Sequence, residues 1–185
     1  LEHEKLIIAY SNKKRCIANS KYNERRRECE TALYDLQKLT TISSLSELTM
    51  DAFEMVKSAI SDPICVKRAR HAVSENQRTI QAARALKEND LILFGKLMNQ
   101  SHISLRDDYE VTGKELDTLV QAAWEHQGVL GARMTGAGFG GCTVNLVKNE
   151  SVDSFIEQVG EKYQNTIGYP ADFYVVKTGS GVCRC

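Results

Sequence analysis

A cluster of glycines constrains the fold of this chain more than any other feature. Four glycines occur within six positions: Gly136, Gly138, Gly140 and Gly141. Because glycine loses more conformational freedom on folding than other residues, the cluster predicts backbone that needs positive φ angles or close approach by another group. Residues 132–134 and 142–147 favour strands, the second with apolar residues at alternate positions. The sequence therefore predicts a strand, a glycine-rich loop and a second strand.

This strand-loop-strand setting excludes the common phosphate-binding motifs. Gly136, Gly138 and Gly141 match the spacing of the dinucleotide-binding fingerprint, but that motif needs a helix after the glycines, and here a strand follows. The P-loop needs a Lys-Ser or Lys-Thr pair, which is missing, and the protein-kinase loop lacks its accompanying motifs. Two interpretations remain: a tight hairpin with bulges, or a concave row of amide groups near a phosphate.

Helical periodicity dominates the first 128 residues. After a strand at residues 6–10, the pattern predicts a helix from an Asn19-Ser20 N-cap to about Thr40, and a long helix from Asp62-Pro63. The long helix has an apolar stripe formed by Val66, Ala69, Val73, Ile80, Ala83 and Leu86. Its basic residues are interpreted as a solvated face: Lys67, Arg68, Arg70, Arg78, Arg84 and Lys87.

Two more helices precede the glycine loop, and one follows it. Asp90 is predicted to cap a helix from Leu91 to about His102, followed by a polar link over residues 101–109. Thr112 and Glu115 are predicted to form a capping box for the next helix. After the second strand, a helix from about residue 151 and a strand at residues 173–176 complete the pattern.

The element order predicts an α+β fold. Two strands joined by a short loop cannot form a parallel crossover, so we expect a small, mostly antiparallel sheet covered by helices, in one domain.

Composition excludes several classes of partner. The chain has 24 Lys plus Arg and 24 Asp plus Glu, so it lacks the basic surplus typical of nucleic-acid and anionic-membrane binders. No apolar run approaches the ~20 residues that span a bilayer. The six cysteines are too sparse for a secreted disulfide scaffold, and Cys183 and Cys185 are closer together than zinc ligands usually are. These features predict a reduced, cytoplasmic protein without a metal site.

The segment Thr135-Gly-Ala-Gly-Phe-Gly-Gly-Cys142 closely resembles the third signature motif of the GHMP family of small-molecule kinases. Residues 19–29 and 101–111 look like the branch of this family that phosphorylates galactose, and the resemblance runs over essentially the whole chain. It implies the ferredoxin-like C-terminal domain of that family for residues 1–185. Leu1 as first residue also favours a piece of a longer protein.

The resemblance also implies the reaction. Members of this branch transfer the γ-phosphoryl group of ATP, with Mg²⁺, to the C1 hydroxyl of galactose, which requires positioning and charge neutralisation more than covalent chemistry. Their catalytic aspartate, magnesium ligands and most sugar-binding residues lie in the N-terminal half. This chain should therefore hold no catalytic residue or metal ligand, should be inactive alone, and should have its own N-terminal domain as partner.

Two site assignments follow from the resemblance. Tyr22 corresponds to a tyrosine whose hydroxyl contacts galactose, although the sequence alone would favour a packing role at a helix N-terminus. Thr135 and the four loop glycines correspond to the loop near the nucleotide phosphates.

Other polar groups have simpler explanations. Capping and an Arg-Asp pair account for His102, Arg106, Asp107 and Asp108. The three arginines at 25–27 are interpreted as structural, with one of them possible near the sugar or the domain cleft, and His3, His71 and His126 show no metal-ligand spacing. Two alternative functions stay open: a kinase for another sugar such as N-acetylgalactosamine, and a non-catalytic sensor of sugar and ATP.

Overall fold

The computed structural model describes residues 3–13, 18–177 and 179, without the side chains of residues 18–20. The predictions about Leu1, Cys16, Cys183 and Cys185 concern residues outside these ranges. The strands are β1 Glu4–Tyr10, β2 Val129–Thr135, β3 Cys142–Lys148 and β4 Asp172–Val176. The helices are α1 Ala18–Leu36, α2 Met50–Val56, α3 Pro63–Lys87, α4 Leu91–Asp107, α5 Lys114–Glu125 and α6 Val152–Ile167.

The four strands form one sheet in the order β2-β3-β1-β4, and every neighbouring pair is antiparallel. The first strand lies in the interior of the sheet because β3 and β4 pair with its two edges, which brings Tyr10 opposite both Cys142 and Asp172. The predicted α+β class, with a small antiparallel sheet and a helical layer, is confirmed.

One face of the sheet packs on α5 and α6. Ile7 and Ala9 of β1 are 0% and 1% exposed in a core that includes Leu119 of α5 and Phe155 of α6. A second core lies among the first three helices, around Phe53. The other face of the sheet is covered only partly, and a cavity of about 440 Å³ lies between it and the α3–α4 pair.

Helix α4 covers the edge strand β2, whose outward amides would otherwise lack partners. The Ala132 amide donates to Oδ1 of Asn99 (2.9 Å), and the Met134 amide donates to Nδ1 of His102 (3.2 Å). The approach is close enough that a Cβ atom on Gly95 would lie 2.1 Å from the Leu130 carbonyl oxygen. The β2 edge of the sheet is thus closed by side chains of α4.

Several predicted helix ends are wrong. Helix α4 continues to Asp107 instead of ending near His102, because buried polar residues such as Ser101 and Ser104 find partners inside the protein. The capping box at Thr112 is also wrong: Thr112 is buried, and Gly113, with φ of 89°, is the N-cap of α5.

The ends of α1 and α3 give mixed outcomes. Helix α1 already includes Ala18, so the N-cap predicted at Asn19-Ser20 is wrong, and the helix ends at Leu36 rather than near Thr40. The cap predicted for α3 is confirmed, since the Asp62 carboxylate accepts the Ile64 amide proton at 2.8 Å with proline at the first helical position. The same holds for α4, where Asp90 accepts from the Leu93 amide at 2.9 Å.

Candidate functional site

The glycine-rich loop adopts the backbone that its sequence predicts. The four loop glycines all have positive φ: 84° at Gly136, 82° at Gly138, 115° at Gly140 and 89° at Gly141. Phe139 also lies in the left-handed region, with φ of 57°, which costs a non-glycine residue about 1–2 kcal/mol. The expectation that this loop needs positive φ is therefore confirmed.

Close approach is a separate requirement, and it is strongest at Gly138. A Cβ atom there would lie 2.0 Å from the carbonyl oxygen of Val111, which also accepts the Phe139 amide proton at 2.7 Å. At Gly140 the nearest group would be the flexible side chain of Lys13, at 3.1 Å, while Gly136 has nothing within 4 Å. Gly138 is thus pressed against backbone, whereas Gly136 needs glycine only for its φ angle.

The base of the loop is joined to the end of β1. The Ser11 amide donates to the Gly141 carbonyl (2.8 Å), and the Tyr163 hydroxyl donates to the Ser11 carbonyl (2.6 Å). Burial raises the pKa of Tyr163 above its ordinary value, so this hydroxyl stays a donor. Residues 135–137 at the start of the loop remain exposed. The loop therefore has an anchored base and an accessible tip.

Tyr22 lies in the first part of α1, on the same side of the molecule as the loop. Its neighbour Lys21 places its ammonium group 5.6 Å from the centre of the Phe139 ring. Tyr22 itself is 55% exposed, so it is not enclosed by the rest of the domain. It also lies near Tyr109, where burial, reinforced by Cys29 and Tyr22, raises the pKa of the phenol to about 12. The predicted tyrosine and the predicted loop are thus brought to one region.

Arg68 contradicts the predicted solvated face of α3. It is 2% exposed and donates to Glu28 of α1, to the Asp108 carbonyl and to Glu110. The predicted apolar stripe is also wrong in the second half of α3. Ile80 is expected to be buried there, but it is 65% exposed. Arg68 follows the buried Cys65 by three residues and so lies on the inner side of α3, but the carboxylates that allow its burial are 40 and 42 residues away in the sequence.

The remaining candidate residues have structural partners. Arg106 pairs with Asp107 at 2.8 Å, as expected, and His102 is buried between the Met134 amide and Asp117. Arg25 is buried and forms an ion pair with Glu28. Its two neighbours, Arg26 and Arg27, are exposed.

Within the described ranges no group of three His, Cys, Asp or Glu side chains could hold a metal ion. No helix there is long and apolar enough to cross a membrane.

Comparison with known families defines the class of protein. Residues 82–165, from the second half of α3 to α6, match the family described as the C-terminal domain of GHMP kinases. This span contains the glycine loop and the two strands that it joins. Residues 82–165 are thus a C-terminal domain of the GHMP kinase family.

Several galactokinases are similar to the chain over nearly its whole length. The chain is 66% identical over 177 residues, or 96% of its length, to a galactokinase of Clostridium beijerinckii. It is 62% identical over 177 residues to that of Clostridium acetobutylicum. The crystal structure of Lactococcus lactis galactokinase complexed with galactose covers 97% of the chain with a TM-score of 0.94 and 50% identity. In each case the chain spans only 46% of the relative's own length.

Proposed function

We propose that the complete protein is a galactokinase and that residues 1–185 form its C-terminal domain. It would transfer the γ-phosphoryl group of ATP to the C1 hydroxyl of galactose, giving galactose 1-phosphate. The observation that carries this proposal is the 66% identity to a galactokinase over 96% of the chain. A solved galactokinase that is 50% identical and covers 97% of the chain is complexed with galactose.

The glycine loop is proposed to lie near the nucleotide phosphates. Its exposed start, Thr135 to Ala137, is followed by four consecutive residues with positive φ, and amide groups in a turn of this kind can form a concave site that attracts an anion. Gly138, Gly140 and Gly141 hold the loop against the rest of the domain. The loop would thus help shape the phosphate-binding region without supplying an acid or base.

Tyr22 is proposed to contact the sugar. A phenol can both donate and accept a hydrogen bond, which suits a sugar hydroxyl, and the exposed position of Tyr22 near the loop leaves it accessible. The catalytic aspartate, the Mg²⁺ ligands and the remaining sugar contacts are assigned to an N-terminal domain. That domain, ATP and galactose are the proposed partners, and the cytoplasm is the proposed location.

The test is a coupled assay of the full-length protein with ATP, Mg²⁺ and either galactose or N-acetylgalactosamine. We expect turnover with galactose, and none from the 185-residue chain alone. Preferential phosphorylation of N-acetylgalactosamine would show that this sugar, and not galactose, is the substrate. Binding of galactose and ATP without turnover would instead identify a sensor. Near-enzyme rates from the isolated chain would refute the assignment of the catalytic groups to the N-terminal domain.

A further inference from the structure

A short segment between α4 and α5 connects the two parts of the proposed site. This bridging segment, residues 108–111, contacts the glycine loop at one end, where the Val111 carbonyl accepts the Phe139 amide proton at 2.7 Å. Near its middle, Tyr109 stacks on His71 of α3 with ring centres 4.5 Å apart and lies beside Cys29 of α1. Its position therefore affects both the loop and the helix that carries Tyr22.

The bridging segment is strained. Glu110 has a φ of 56°, a left-handed conformation that costs a residue with a side chain about 1–2 kcal/mol. Such strain persists only where surrounding contacts fix the conformation. The contacts on Glu110 come from α3: Arg68 at 2.9 Å and, more weakly, Lys67 at 3.5 Å.

Arg68 joins three elements through one guanidinium group. Its Nε donates to Glu28 of α1 (2.7 Å), Nη1 to the Asp108 carbonyl (2.5 Å) and Nη2 to the Glu110 carboxylate (2.9 Å). Burial alone would lower the pKa of Arg68, but the hydrogen bonds to Glu110 and Glu28 hold that pKa above its ordinary value. The planar group with donors in fixed directions suits this arrangement, which the single ammonium of lysine cannot reproduce.

We infer that Arg68 is a positioning residue of the phosphotransfer site. By fixing the bridging segment relative to α1, it sets the separation between Tyr22, which faces the sugar, and the glycine loop, which faces the nucleotide. The inference rests on the proposed function, because it assigns these two features to the two substrates. Because Arg68 is only 2% exposed, it acts through the residues that it holds.

The first test is the conservative variant Arg68→Lys in the full-length protein. Misplacement of substrate groups by about 1 Å can cost about 10²-fold in rate, so we expect kcat/KM to fall about 10- to 100-fold at a temperature where the variant stays folded. Arg84→Lys is the matched control, since Arg84 lies on the same helix, is paired with a glutamate and is mostly exposed. It should keep wild-type kinetics.

A double-mutant cycle separates positioning from simple stabilisation. If Arg68 positions Tyr22, the loss caused by Tyr22→Phe should shrink clearly in the Arg68→Lys background, because the hydroxyl is already misplaced. Independent effects that multiply would overturn the inference, as would wild-type kinetics of Arg68→Lys. Should Arg68→Lys fail to fold, Glu110→Gln takes its place in the same cycle, with a smaller expected loss and the same expected coupling.

Hydrogen exchange supplies a readout that does not depend on catalysis. We expect the Phe139 amide, which donates to the bridging segment, to exchange at least about tenfold faster in Arg68→Lys than in Arg84→Lys. Unchanged exchange would refute the inference even if the protein proved inactive on galactose. If the wild-type protein were inactive but Arg68→Lys still showed faster exchange of the Phe139 amide, the proposed function would be refuted. The conclusion that Arg68 fixes the bridging segment against the loop would then still hold.

Discussion

The clearest perturbation of the loop is Gly138→Ala. The new methyl group would lie 2.0 Å from the Val111 carbonyl oxygen and 2.9 Å from the Val111 carbonyl carbon. Backbone cannot move aside as a flexible side chain can, so either the loop or the bridging segment must shift. The first contact to be lost is the hydrogen bond from the Phe139 amide to the same oxygen.

Two terms give the size of the effect. A side chain at a φ of 82° costs about 1–2 kcal/mol, and loss of one hydrogen bond costs about 0.5–1.5 kcal/mol. Together they amount to roughly 1.5–3.5 kcal/mol, or about 10- to 400-fold in kcat/KM if the loop must be ordered for transfer. Gly136→Ala, at a φ of 84° with nothing within 4 Å, includes only the first term. The two variants should therefore differ about 2- to 13-fold.

The assay is steady-state phosphorylation of galactose by the full-length protein, together with thermal melting of each variant. Gly168→Ala is the control for stability, because Gly168 has a φ of 94° in open space at the end of α6, away from the loop. It should lower the melting temperature without lowering kcat/KM. If Gly138→Ala and Gly136→Ala have the same kinetics and melting temperature, the close approach of Val111 does not constrain the loop, and the reasoning is refuted.

Two further predictions concern single side chains. Tyr22→Phe should lower kcat/KM for galactose about 2- to 13-fold, the value of one hydrogen bond, and unchanged kinetics would make Tyr22 a packing residue. Burial lowers the pKa of His71 from 6.5 to about 4, so between these values the unfolded chain binds more protons and stability falls as pH falls. Melting at pH 7 and pH 5 should show a smaller drop for His71→Phe, which keeps a ring beside Tyr109, than for the wild type; equal drops would contradict this.

Local features of the fold were predictable because their causes are local. The Asp62 and Asp90 caps need only an acceptor side chain and amides two or three residues away, and both are formed. The glycine loop was predictable for the same reason. Gly136 and Gly138 have positive φ angles, which only glycine adopts without a steric penalty. Strand pairing then followed from the short connection between β2 and β3.

Features that depend on distant partners were not predictable. Ser101 and Ser104 resemble a polar link, but their hydroxyls bond to Glu75 and His71 of α3, so α4 continues through them. Arg68 resembles a surface residue until its partners, 40 and 42 residues away, are known. A buried charge is tolerated only with such partners, and a single sequence does not show which residues meet.

The strain in the site explains why those distant partners matter. Glu110 and Phe139 both have left-handed backbone, and they lie on either side of the hydrogen bond between the Phe139 amide and the Val111 carbonyl. Together they cost about 2–4 kcal/mol, whereas that hydrogen bond contributes only about 0.5–1.5 kcal/mol. The difference must come from elsewhere, and hydrogen bonds to charged groups contribute about 1.5–3 kcal/mol each. Arg68 makes such bonds to the bridging segment, so the geometry of the glycine loop depends on a residue in α3 that lies outside the motif.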